Sequence, residues 1–198
     1  MKQTNIFIIG AIASGKSTVR QYLVSLFRQK GLKIFIFDID YILRKILVPS
    51  QSANCDFEYT SSGRLILKNP DNQISLAMDI LVKECTQAVR RNRNFIVEFG
   101  VKNLNTSFER FDQDVLNGAL VFQVITDRKT RKERNARRTR NRVPEENLDY
   151  YLNEVTQEFH VYFKQNKMKL ITLANINDLE YLKRKTLKYL LNFKSNWT

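Results

Sequence analysis

Gly10-Ala11-Ile12-Ala13-Ser14-Gly15-Lys16-Ser17 is the stretch of this chain with the most specific chemical content. Its spacing, G-x-x-x-x-G-K-[ST], suits backbone wrapped around a chain of phosphates. Successive N–H groups and the start of the following helix present partial positive charge, and glycine permits the tight turns and close approach this needs. Residues 10 to 18, ending with Thr18, would form the cradle. Lys16 would reach the β- and γ-phosphates of a nucleotide, and the Ser17 hydroxyl would ligate Mg²⁺. An accidental match would leave Lys16 as a plain surface lysine, but the loop lies between a buried strand, Ile6 to Ile9, and a helix start, where such a loop must lie.

Acids stand at two later strand ends, and ligands of parallel sheets sit outside the carboxyl ends of strands. Phe37-Asp38-Ile39-Asp40 follows the second strand. With a period of two, Asp38 and Asp40 would point the same way while Ile39 turns to the core. Such a pair can take the proton of an acceptor hydroxyl and steer Mg²⁺ through water. The plainer alternative is that one of them caps the short helix starting near Tyr41. Glu98 closes the strand Phe95-Ile96-Val97-Glu98 and is placed to hold the magnesium hydration shell, unless it is merely an exposed strand end.

The third group is cationic. The formal net charge is +13, and residues 128–142 hold nine Lys/Arg against the single acid Glu133. At 100° per residue Arg128, Arg131, Arg134, Arg138 and Arg142 share an arc of about 120°, while Lys129, Lys132, Arg137 and Arg140 face elsewhere. Like charges at this spacing repel, which makes sense if a polyanion fills the face. Arg131, Arg134 and Arg138 are the candidates for stabilising a transferring phosphoryl group. A solvated basic face, or one bound to nucleic-acid backbone, are the competing readings.

These residues need a scaffold, and the chain supplies one. It has 198 residues, 43% of them hydrophobic, with six Gly and three Pro, enough for one domain with a real core. Apolar runs alternate with helical stripes: strands near Ile6, Ile34, Phe95, Leu120 and Leu170, and helices through Val19–Phe27, Pro70–Arg91, the arginine run, Leu148–Phe163 and Leu182–Leu191. Thr106-Ser107-Phe108-Glu109 has the capping-box form, and a hairpin is expected around Ser61-Ser62-Gly63. The expectation is an α/β fold with a five-stranded parallel sheet between two helical layers.

The loop and the order of elements resemble the P-loop kinases, the group containing nucleoside, nucleotide, adenylylsulfate and gluconate kinases. Ala13 stands where many nucleoside kinases have a middle glycine. The Asp38-Ile39-Asp40 triplet resembles the D-x-D of adenylylsulfate kinases and the single acidic base of deoxynucleoside kinases. Phe99 and Lys102 stand where similar kinases carry an arginine after the third-strand acid. The run Arg138 to Glu146 resembles the deoxynucleoside kinase lid, with one extra residue before the acids. The resemblance implies a single P-loop kinase domain over 1–198, with a lid at about 128–146 and an acceptor-side insertion at about 50–70. It implies ATP and Mg²⁺ as cofactors and phosphoryl transfer to a small-molecule acceptor, nucleoside-like or nucleotide-like. The two strand-end acids and the missing arginine favour a hydroxyl acceptor. Tyr41, Phe57, Tyr59 and Arg64 lie where similar kinases hold the acceptor, and Asn175 and Asn177 where they contact adenine. A 5′-hydroxyl polynucleotide kinase and a nucleotide switch are the alternatives; there is no N-K-x-D base-selection motif.

Other classes are excluded by arithmetic. Cys55, Cys85 and the single His160 cannot build a Cys/His zinc site or a disulfide framework, so the default compartment is the reducing cytoplasm. No apolar run approaches the roughly 18 residues of a membrane span. Lys2 and the stretch ending Ala11-Ile12-Ala13 mimic a signal peptide, but cleavage there would destroy the phosphate loop.

Overall fold

Ile6, Phe7, Ile8 and Ile9 are all fully enclosed, as a strand covered on both faces must be. They form β1 (Asn5–Ile9), the middle strand of the sheet. The structure, a computed structural model, describes residues 3–44, 57–59, 65–68, 70–100, 104–138, 145, 148, 157–175 and 179–194.

After β1 come helix α1 (Lys16–Gln29), strand β2 (Phe35–Asp38) and the short helix α2 (Ile39–Ile42). Strands β3 (Phe57–Tyr59) and β4 (Leu65–Leu67) pair antiparallel, flanking the position of the expected hairpin. Helix α3 (Pro70–Arg90), β5 (Phe95–Phe99), α4 (Leu104–Phe108), α5 (Gln113–Leu116), β6 (Leu120–Ile125) and α6 (Arg128–Ala136) follow. The chain continues with α7 (Gln157–Gln165), β7 (Lys169–Ala174) and α8 (Leu179–Lys194). The main sheet has five strands in the order β2-β5-β1-β6-β7, and every pair is parallel.

The side-chain alternation of β1 sorts the core into two layers. Ile6 and Ile8 join Val19, Leu23 and Phe27 of α1 and Leu182 and Leu190 of α8 on one face. Phe7 and Ile9 join Met78 and Leu81 of α3, Phe108 of α4 and Phe159 and Phe163 of α7 on the other. Phe7 lies 5.2 Å from Phe108 and 5.2 Å from Phe111 between ring centroids. Burying each such ring stabilises the fold by about 1.5–3 kcal/mol. This is the α/β/α arrangement expected from the alternation of strands and helices.

The strand order places the loop after β1 in the crevice between the carboxyl ends of its neighbours β5 and β6, the position where open α/β sheets bind ligands. Two local expectations are corrected. Thr106 and Ser107 do not cap a helix; they lie inside α4, where Leu104 and Phe108, one turn apart, are both buried. The next helix, α5, starts only at Gln113, after Asp112. Asp40 is not in a strand: β2 ends at Asp38, and Asp40 lies in α2. The remainder of the proposed lid, the loop of the insertion, Arg64, Arg140, Arg142 and Asn177 lie outside the described residues.

Candidate active site

The loop from Gly10 to Gly15 is shaped by three left-handed or near-left-handed residues. Gly10 has φ 152°, Ala13 φ 61° and Gly15 φ 102°, so glycine is required for more than flexibility. A Cβ on Gly10 would lie 2.5 Å from the Val124 carbonyl oxygen, and one on Gly15 would lie 2.2 Å from Asn175 Nδ2. Ala13 takes the strained conformation with a side chain, at a cost of about 1–2 kcal/mol.

The loop is also held from behind. The Ser14 carbonyl oxygen accepts from Thr126 Oγ1 at 2.8 Å, Asn175 Nδ2 at 2.7 Å and Arg134 Nη1 at 3.2 Å. Arg134 Nη2 donates in turn to Asn175 Oδ1 at 2.9 Å. Residues from the ends of β6 and β7 and from α6 thus converge on one carbonyl and fix the turn that leads into α1. Gly15 is the residue before the helix and offers no side-chain cap. The first N–H groups of α1 therefore face the loop, as an anion site requires.

Lys16 Nζ donates to the Gly10 carbonyl at 2.7 Å and the Ala11 carbonyl at 3.0 Å. Burial, aided by the charges of Arg138 and Arg131, pushes its ammonium down to about 8 against the pull of Glu98 and Asp38. One residue on, Ser17 Oγ donates to Glu98 Oε1 at 2.7 Å. Glu98 is 8% exposed, and burial raises its carboxyl despite the Ser17 hydrogen bond and the nearby Arg20.

Arg20 completes this side. Its Nη1 donates to Asp38 Oδ2 at 2.6 Å and stands 3.1 Å from Glu98 Oε2. Sequence reading missed it. It lies one turn after Lys16, on the helix face that follows the loop, and that spacing was the available signal.

The loop residues, Ser17, Glu98 and Asp38 are brought together, but the two aspartates do not share one side of a strand. Asp38 Oδ1 accepts from the Asp40 backbone N–H at 2.8 Å, so Asp38 caps α2 while its other oxygen meets Arg20. Asp40 is exposed and pairs with Arg44 at 3.0 Å, four residues on and just past the end of α2. Tyr41 beside it is 61% exposed. Asn175 is 7% exposed and spends its amide on the loop and Arg134.

The expected single arginine face also divides. Arg131, one turn before the buried Asn135, is 2% exposed and donates Nη1 to the Leu148 carbonyl at 2.7 Å. Arg134 is turned to the loop carbonyls. Helix α6 ends at Ala136, so Arg138 leaves the helical period; it is exposed and its charge is felt at Lys16. The arc computed from sequence assumed an exposed helix continuing to 142, whereas Arg131 and Asn135 form the inward stripe of a shorter one.

The residues present fit a nucleotide phosphate chain and a hydrated divalent ion. Ser14 Oγ is buried without a hydrogen bond, Glu98 Oε2 meets the Arg20 guanidinium as an ion pair without hydrogen-bond geometry, and the two glycines leave space that any side chain would fill. Among the described residues no three His, Cys, Asp or Glu gather in metal-ligating geometry.

No protein-family model and no curated protein sequence matches the chain. Solved structures do. A sugar kinase from Janibacter sp. HTCC2649 superposes with a TM-score of 0.63 at 11% identity, covering 95% of this chain and 94% of its own. A gluconokinase from Sinorhizobium meliloti 1021 gives 0.59 at 14% identity, with 99% and 96% covered. Shikimate kinase from Acinetobacter baumannii, in complex with shikimate, gives 0.57 at 16% identity, with 98% and 94% covered. The chain thus has the five-stranded α/β fold seen in small-molecule P-loop kinases.

Proposed function

We propose that this protein is an ATP- and Mg²⁺-dependent phosphotransferase that transfers the γ-phosphoryl group to a hydroxyl of a small-molecule acceptor. The observation that carries this reading is the juxtaposition of Lys16, Ser17 and Glu98 at the mouth of a fixed phosphate loop. A purely structural helix start has no use for a buried carboxylate on the first-turn serine.

In this reading the loop amides and Lys16 bind the β- and γ-phosphates, and Lys16 leaves the Gly10 and Ala11 carbonyls to do so. Ser17, with Glu98 and Asp38 through water, would hold magnesium, which neutralises charge on the phosphate oxygens. Thr126, Arg134 and Asn175 keep the loop in its binding shape. Arg138, exposed and within electrostatic reach of Lys16, neutralises the transferring group. Asp40 is the most exposed of the three acids and, on leaving its pair with Arg44, takes the hydroxyl proton of an acceptor. Catalysis is mainly positioning and charge neutralisation.

The structural neighbours are a sugar kinase, a gluconokinase and a shikimate kinase, which supports polyhydroxylated acids beside nucleosides as candidates. The test is an ATP-consumption screen over sugars, sugar acids, hydroxylated ring acids, nucleosides, nucleoside monophosphates and 5′-hydroxyl oligonucleotides. Consumption with one hydroxyl class supports the reading; consumption with monophosphates alone overturns the hydroxyl assignment.

A further inference from the structure

Asp38 and Glu98 face one guanidinium. Arg20 Nη1 is 2.6 Å from Asp38 Oδ2 and 3.1 Å from Glu98 Oε2. The same glutamate takes the Ser17 hydroxyl on its other oxygen, at 2.7 Å. With Lys16 close by, two carboxylates face two cations, and the cluster is formally neutral as it stands. Arg20 is held in this place by its helix: it follows Ser17 by three residues in α1, and both side chains project toward the strand ends of β2 and β5.

We propose that Arg20 is a positioning residue that occupies the carboxylate pair on the metal side of the phosphate loop, so that a divalent cation loads with the nucleotide and not alone. The inference rests on the phosphate-loop reading above. A divalent ion entering beside Ser17 would meet a fixed positive charge already paired to the acids that should attract it. Opposite charges at these distances interact strongly in a half-buried site, and the guanidinium repels the metal by the same law. A nucleotide brings several negative charges, which outweigh Arg20 and let the metal in as part of a phosphate complex. Arg20 also holds Asp38 and Glu98 in register, so its removal would free both acids for a metal without deleting either.

The test is direct binding of Mn²⁺, the probe, to the nucleotide-free protein, read by electron paramagnetic resonance of the free ion. Arg20→Gln removes the charge and Arg20→Lys keeps it. We expect wild type and Arg20→Lys to bind Mn²⁺ weakly and within about threefold of each other, and Arg20→Gln to bind about tenfold tighter. Equal affinity in all three, or weaker binding by Arg20→Gln, overturns the proposal. If Arg20→Gln fails to fold, Arg20→Met, which keeps the packing of the aliphatic stem, carries the same comparison. ATP binding by wild type is measured alongside, with Mg²⁺ and with chelator. A wild type that binds no ATP in either condition overturns the phosphate-loop reading itself, whereas normal ATP binding with unchanged Mn²⁺ affinity overturns only the role of Arg20.

Discussion

Ser17 Oγ lies 2.7 Å from Glu98 Oε1, so the first turn of α1 is tied to the end of β5, the strand that lies between β2 and β1 in the sheet. The bond joins a residue of the phosphate loop motif to an acid 81 residues later. Ser17→Ala is expected to weaken nucleotide binding more in the presence of Mg²⁺ than with chelator. Calorimetric titration with ATP under both conditions checks this; equal losses contradict a metal role for Ser17.

Glu98 carries a cost that can be measured as well. Its carboxyl is raised by burial, so above the ordinary carboxylate range the folded protein holds a charge it would rather not bury, and stability is lost there. Glu98→Gln removes that charge. Its thermal midpoint relative to wild type should therefore be higher at pH 8 than at pH 4, below the ordinary value of 4.5, while turnover falls. A relative midpoint that does not change between the two pH values contradicts the argument.

Lys16 sets a pH limit on nucleotide binding. Its ammonium is lowered from 10.5 to about 8, and phosphate needs the charged form. ATP affinity should fall as pH rises through about 8, by at most about tenfold per unit. Stability of the nucleotide-free protein should move the opposite way. Between pH 8 and 10.5 the unfolded chain retains a proton that the fold has lost, so that contribution rises with pH. Affinity measured from pH 7 to 9.5 checks the first part, with Lys16→Met expected to bind weakly and without this pH dependence.

The arginines should separate by what they touch. Arg134→Ala and Asn175→Ala loosen the Ser14 carbonyl and should raise KM for ATP more than they lower kcat. Arg138→Ala should lower kcat by about 10², as loss of a cation facing the transferring group does. Lys129→Ala should change neither. Steady-state kinetics over ATP concentration distinguishes these outcomes; uniform losses that vanish with added salt would mean diffuse attraction.

Much of this was readable from residue order because its causes are local. The apolar run Ile6–Ile9, the G-x-x-x-x-G-K-S spacing and the stripe Val19, Leu23, Phe27 depend only on neighbours in sequence, and the parallel sheet follows from their alternation with helices. The errors have non-local causes. Whether Asp38 continues a strand or caps a helix is decided by where β2 stops pairing with β5 at Glu98. Arg131 is buried because a carbonyl 17 residues later reaches it. Arg20 has no motif of its own and acquires meaning only when β2 and β5 bring Asp38 and Glu98 to the same helix.

The measurement that bears most directly on the central claim is transfer of label from γ-³²P-ATP to an acceptor, by wild type and by Lys16→Ala, over the same acceptor panel. The account expects label on a hydroxyl of one small-molecule class with wild type and Mg²⁺, and none with Lys16→Ala. Label transfer by Lys16→Ala at the wild-type rate, or release of inorganic phosphate by wild type with no acceptor labelled, would contradict it.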